Sequence, residues 1–150
     1  MELYELIIRK GEQEGIIKNA VGAIILNEKN KVLMMSRKTD DFMGGIDELS
    51  SRNMEQGENI YDTLIREVKE ETNLEVVSVK SYIGSFDYIS GSGKKARQYN
   101  FVLDVKNTEN IILTEHEEYN WLTIEEIRKS SKITEEVKYI LEICYFNLKD

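Results

Sequence analysis

Apolar residues follow two distinct periods along this chain. Ala20 to Leu26 is an unbroken apolar run, the pattern of a strand buried on both faces, and Asn27 to Asn30 carries turn chemistry before Val32 to Met35 resumes. These segments predict a hairpin. From Asn59 to Thr72 the period lengthens. Tyr61, Leu64, Ile65, Val68 and Thr72 fall on one stripe at about 100° per residue, which predicts a helix with one buried face. Asn59 is its expected N-cap, with Asp62 in the first turn. Leu74 to Ile89 is rich in Val, Tyr, Ile and Phe, and Tyr99, Phe101, Leu103 and Val105 alternate with more polar neighbours, predicting a second hairpin around Gly91 to Lys95. Ile111 to Leu113 reads as a further short strand. Thr123 with Glu126 forms a capping-box signature for a short helix, and Ile133 to Leu148 sets Val137, Ile140, Leu141 and Cys144 in helical register. Thr39 to Gly45, with Asp40-Asp41 and Gly44-Gly45, reads as a loop, while Met1 to Gly15 fits either a strand or a short helix. The order predicts an α+β fold in which helices pack on a mixed sheet.

Composition narrows the class. A chain of 150 residues with 41% hydrophobic content has material for one core, and no repeat or linker marks a boundary, so a single domain over 1–150 is expected. A formal charge of -8 disfavours an extended nucleic-acid partner, and any phosphate ligand then needs a local cation. No apolar run approaches the roughly 20 residues of a membrane span, and the first residues lack a signal peptide's pattern. The expectation is a cytoplasmic protein with no membrane contact. The single cysteine, Cys144, sits in an apolar segment and reads as a buried thiol.

The informative stretch is Gly57 to Leu74. On its helix Glu67, Glu70 and Glu71 stand at i, i+3 and i+4, so three carboxylates share one face beside the apolar stripe. Such charges repel, and a bound divalent cation would turn the repulsion into coordination. Carboxylate oxygens without His or Cys neighbours favour magnesium (Mg²⁺) or manganese (Mn²⁺) over zinc. On spacing alone, a solvated acidic face is the favoured reading, since charge runs usually mean exposure.

The same stretch resembles the Nudix box, whose pattern is G-x5-E-x7-R-E-U-x-E-E-x-G-U with U aliphatic. Glu58 falls at the first Glu, Arg66-Glu67 at the Arg-Glu pair, Val68 at the aliphatic position, Glu70-Glu71 at the Glu pair and Leu74 at the last aliphatic. The run from Glu48 to Glu58 is similar to the family's E-L-P-G-G-x-V-E-x-G-E lead-in. Two positions depart from the pattern. Asn73 replaces a Gly, a mild change because Asn tolerates the left-handed conformation. Arg52 replaces the Gly that begins the box, where positive φ or close approach to phosphate would disfavour a side chain.

The resemblance implies a Nudix α/β/α sandwich with a mixed central β-sheet flanked by helices. It also implies a Mg²⁺-dependent (or Mn²⁺-dependent) pyrophosphohydrolase cleaving a nucleoside diphosphate linked to a moiety X by water attack at phosphorus. By position, Glu67 and Glu71 would be direct metal ligands, Glu70 a further one, and the Ser51 carbonyl would add another oxygen. Glu58 and Arg66 would orient the box as a carboxylate–guanidinium pair. The segment Leu113 to Trp121 resembles E-H-x-x-x-x-W, making Glu115 and Glu118 the general-base candidates beside Glu70 and Glu71, with His116 in a structural hydrogen bond and Trp121 in the core. Arg37 lies where related MutT-type proteins contact substrate. The tip around Gly91 lacks P-loop spacing and reads as a hairpin turn, either a plain solvated one or one whose Lys94, Lys95 and Arg97 reach phosphate while Tyr88 and Tyr99 stack on a base; Arg52 is a further candidate phosphate contact. The alternative is a Nudix-fold nucleotide-binding or regulatory module with catalysis impaired by Arg52. An N-terminal segment without an assigned place in the core makes a homodimer the expected assembly.

Overall fold

Residues 3–38 and 45–148 are described by a computed structural model. The loop expected at Thr39 to Gly45 lies outside the described residues except for Gly45. Helices α1 (Leu3–Gln13), α2 (Ile60–Thr72), α3 (Ile124–Lys129) and α4 (Glu135–Leu148) pack on two sheets. One sheet is mixed, in the order β4 (Ser50–Asn53), β1 (Lys18–Ile25), β6 (Lys95–Val105), β5 (Val76–Ile89), with β1 and β6 parallel. The other is antiparallel, in the order β3 (Asp47–Glu48), β2 (Val32–Ser36), β7 (Glu118–Leu122).

Strand β1 explains the layering. Val21, Ala23 and Ile25 face one core with Leu64 and Val68 of α2, whereas Ile24 faces a second with Val137, Ile140 and Leu141 of α4. Alternation sends successive side chains to opposite faces, so an unbroken apolar run is what a strand between two helical layers requires. Truncating Leu64 to Ala would cost about 2–5 kcal/mol through lost transfer and a residual cavity.

The first hairpin does not form. Asn27 and Asn30 make the expected turn, with Asn30 at φ 59 and the Asn27 side chain accepting from the Lys29 and Lys31 backbone N–H groups. Beyond one bridge, Leu26 to Val32, the strands separate into different sheets. Both edges of β1 are already occupied, by β4 and β6, so β2 has no ladder to join there. The second hairpin forms as expected, β5 against β6. Ile111 to Leu113 is not a strand; the strand is β7, whose exposed Glu118, Tyr119 and Asn120 hid it from an apolar-pattern reading.

The open N-terminal segment is helical. Tyr4, Ile7 and Ile8 pack on the first core, Tyr4 edge-on to Phe101 at 5.7 Å, and Tyr99 Oη donates to the Ile7 carbonyl at 3.2 Å. This helical side is used within the chain, which removes the observation behind the homodimer expectation. No helix among the described residues is long and apolar enough to cross a membrane.

Candidate active site

The site begins with how α2 is held. The Asn59 side chain accepts from the Asp62 N–H at 2.8 Å, and Asn73 ends the helix at φ 68 with its N–H donating to the Lys69 carbonyl. Its buried side is Ile60, Thr63, Leu64, Glu67, Val68, Glu71 and Thr72, rotated from the expected stripe so that Tyr61 is exposed. The carboxylates therefore do not share a face. Glu67 and Glu71 point into the protein at 0% and 2% exposure, while Glu70 lies outside with Arg66 Nη1 at 3.2 Å.

Strand β4 lies against this buried pair because it completes the edge of β1, Ser51 pairing with Gly22 and Ser50 with Ala23. Ser50 Oγ sits 2.9 Å from Glu67 Oε1 and 2.8 Å from Glu71 Oε1. One hydroxyl proton can serve only one of these acceptors at a time. Glu67 Oε2 is buried without a hydrogen-bond partner. Burial, together with the neighbouring Glu71 charge, pushes the Glu67 carboxyl well above its ordinary value. Burial also raises Glu71, against the Ser50 hydrogen bond and the charge of Arg52.

Arg52 is accommodated without backbone strain. It lies in extended β4, and the described non-glycine residues at positive φ are Asn30 and Asn73. The expected conflict between a side chain and a glycine conformation does not arise. Its guanidinium Nη2 instead bridges Glu71 Oε2 at 3.4 Å and Glu115 Oε2 at 2.9 Å. Arg66 grips Glu58 through two bonds, Nε at 2.7 Å and Nη2 at 2.9 Å. That fork, with the Glu55 N–H and Thr63 hydroxyl, holds the Glu58 carboxyl down to about 2.

A cavity of about 640 Å³ opens beside this cluster, and its lining includes Ser51, Arg52, Glu71, Glu115, Glu48 and His116. Glu48 accepts from Arg37 Nε at 3.0 Å and meets His116 Nε2 at 2.8 Å. These bonds outweigh burial and lower Glu48; the same contact raises His116 against its own burial. Phe86, Tyr88 and Gln98 line the cavity as well.

The expected site residues thus divide. Ser51, Arg52, Arg37, Glu71 and Glu115 meet at the cavity, with Glu67 directly behind Glu71. Glu118 is exposed on β7, opposite Ser36, and does not line it. Lys95 and Arg97 also lie elsewhere: Lys95 is exposed at the start of β6, and Arg97 is engaged by Asp87 at 2.6 Å and Glu14 at 2.7 Å. Tyr99 is a core residue at 1% exposure, which removes it as a stacking surface, while Tyr88 stays available. Trp121 is half-buried against the first core.

Sequence reasoning assigned no role to Glu48 and Gln98. Gln98 and Asn100 occupy the polar positions of the β6 alternation. Both are buried, because α4 and the second sheet cover that face.

The hard-oxygen donors at the cluster, the orphaned Glu67 Oε2 and the mutual repulsion of two buried carboxylates fit a divalent cation better than a soft metal. Among the described residues no three acidic, His or Cys side chains already form a cation cage. Glu70 is turned to Arg66, and Arg52 lies between Glu71 and Glu115.

Solved structures share this architecture. A MutT protein from Methanosarcina mazei Go1 superposes with a TM-score of 0.78 at 24% identity, covering 91% of this chain and 99% of that one. An Ap4A hydrolase from C. elegans, in a binary complex, gives a TM-score of 0.74 at 19% identity, covering 89% and 98%. Among curated proteins, Nudix hydrolase 2 of Arabidopsis thaliana is 39% identical over 56 residues, 37% of this chain. That match spans 20% of the relative's length. The NUDIX domain matches residues 17–142, a span containing the buried carboxylate pair, the Glu58–Arg66 fork and the cavity, and the chain belongs to that family.

Proposed function

We propose that the protein is a divalent-metal-dependent pyrophosphohydrolase that cleaves a nucleoside diphosphate linked to a moiety X by attack of water at phosphorus. The observation that carries this reading is the pair Glu67 and Glu71, buried at 0% and 2% exposure around one hydroxyl, with one carboxylate oxygen unpartnered. A cluster destabilised by burial and like charge is retained where it binds something. Family members act on small nucleotide derivatives, and the cavity has the volume for one.

Glu67, Glu71 and the Ser51 carbonyl would hold the cation, Mg²⁺ or Mn²⁺, with Glu70 joining if it leaves Arg66. When bound, the ion supplies neutralisation of pyrophosphate charge and lowers the barrier to water attack. Glu115 reaches the cavity and is the residue proposed to accept the water proton, in preference to Glu118. Arg52 and Arg37 would present guanidinium groups to phosphate oxygens, exchanging their present carboxylate partners for the substrate. The Glu58–Arg66 fork fixes the start of α2 relative to the preceding loop and is a positioning element.

The test is phosphate release, coupled to a pyrophosphatase, across nucleotides, dinucleotides and nucleotide sugars with Mg²⁺ or Mn²⁺, comparing wild type with Glu71→Gln. Turnover of one substrate class that is lost in the variant supports the reading. One observation favours a second reading, a nucleotide-binding module. Arg52 already supplies a cation between Glu71 and Glu115. Metal-dependent nucleotide binding without turnover above the variant would select it.

A further inference from the structure

Strands β5 and β6 contribute Phe86, Tyr88 and Gln98 to the lining of the cavity. Phe86 and Tyr88 form an aromatic pair, with centroids 6.2 Å apart and planes at 50°. Gln98 stands in register with Phe86 on one side and Ala20 on the other, and all three line the cavity.

The orientation of Gln98 is fixed by a chain of hydrogen bonds that begins at two backbone carbonyls. Asn100 Nδ2 donates to the Gly84 carbonyl at 3.1 Å and to the Gln98 carbonyl at 3.2 Å. Carbonyls only accept, so the nitrogen of the Asn100 amide must face them and its oxygen must face the other way. Asn100 Oδ1 therefore accepts, and Gln98 Nε2 donates to it at 2.8 Å. A Cβ on Gly22, across from Asn100, would collide with both amides, so glycine at that position allows the pair to pack against β1. The nitrogen of Gln98 is thereby committed to the protein. Its Oε1 is the end with no protein hydrogen bond among the described residues, on a side chain that borders the cavity.

We infer that Gln98 Oε1 is a fixed hydrogen-bond acceptor that selects a nucleobase carrying an exocyclic amine, adenine or cytosine, packed against the aromatic pair of Phe86 and Tyr88. The inference rests on the nucleotide reading above and names the part of the substrate that the carboxylate cluster does not read. An amine donates to Gln98. A keto oxygen at the same place would set acceptor against acceptor and leave both unpaired, the situation that gives polar sites their strongest discrimination. Aromatic faces accept any base, so the rings supply affinity and the amide supplies the choice.

The experiment compares adenosine with inosine triphosphate, and cytidine with uridine triphosphate, as kcat/KM with Mn²⁺, and as equilibrium binding where turnover is absent. Wild type is expected to favour the amine in at least one pair by about tenfold or more. In Gln98→Met, which keeps the volume and removes the acceptor together with the Nε2 donor to Asn100, that ratio should fall to within about threefold of unity. A merely structural role would weaken both members alike and leave the ratio where it was. A preserved ratio in Gln98→Met, or equal use of both members of each pair by wild type, overturns the assignment and leaves the pyrophosphohydrolase reading standing. Failure of all four nucleotides to bind or turn over overturns the base assignment, while the pyrophosphohydrolase reading is decided by the dinucleotides and nucleotide sugars of the wider panel. Thermal unfolding of Gln98→Met near the wild-type midpoint excludes misfolding as the cause of a changed ratio.

Discussion

Glu67 and Glu71 place their Oε1 atoms on the same Ser50 hydroxyl, at 2.9 and 2.8 Å, from positions one helical turn apart on α2. Two buried carboxyls sharing one proton donor are destabilising without a cation. Glu67→Gln removes a buried charge and brings its own donor, so it should raise the metal-free unfolding midpoint by about 2–4 °C for a gain of about 1 kcal/mol. The same change should weaken Mn²⁺ binding and reduce turnover by about a hundredfold. Calorimetry with and without Mn²⁺ checks both signs. An unchanged midpoint together with unchanged affinity would refute the cluster's assigned role.

Arg52 competes with a cation for the oxygens of Glu71 and Glu115. Arg52→Ala should therefore bind Mn²⁺ more tightly, by about tenfold or roughly 1.4 kcal/mol, in isothermal titration without nucleotide. Backbone relief plays no part, because residue 52 sits in an extended strand. If nucleotide affinity falls while metal affinity holds, the guanidinium serves the substrate and does not compete with the metal.

The Glu58–Arg66 fork sets an acid limit on stability. The Glu58 carboxyl is depressed to about 2 in the folded chain, chiefly by its bonds from Arg66. A depressed pKa contributes stability that is present above the unfolded value, near 4.3, and is lost as pH falls through that value towards the folded one. Urea midpoints measured down to pH ~2 should drop more steeply in wild type than in Glu58→Gln across that window. Parallel acid limbs would show that the fork contributes nothing to folding.

Asn73 gives a backbone prediction. It closes α2 at φ 68, where a Cβ is disfavoured and Asn is tolerated. Asn73→Ala should lower the unfolding midpoint by about 2–4 °C, whereas Asn73→Gly should match or exceed wild type. Equal midpoints for the two variants would remove the left-handed cap as a determinant.

Local chemistry was legible where a residue acts on its own neighbours. Asn59 and Asn73 mark the ends of α2, Thr123 and Glu126 cap α3 reciprocally, and Cys144 is buried in α4. The Glu58–Arg66 pair was legible through the box resemblance, because both partners lie within it. The β1–β2 hairpin misled because a turn fixes direction and not partnership; which edge of β1 is free depends on β4 and β6. Lys95 and Arg97 misled because charge in sequence says nothing about which carboxylates reach it, and Glu14 arrives from α1.

The sequence by itself determined the two buried layers around β1, the helix carrying the carboxylates and the family to which the chain belongs, since each is written in residues close along the chain. Tertiary structure alone decided that Glu67 and Glu71 turn inward while Glu70 turns out, that Arg52 lies between Glu71 and Glu115, and that Gln98 borders a cavity and not solvent. The physical reason is that helical spacing fixes relative angles but not absolute rotation, and strand alternation fixes which residues share a face but not what covers it. Both are set by the distant segments that pack there: β4 and residue 115 at the carboxylates, α4 and the second sheet over Gln98.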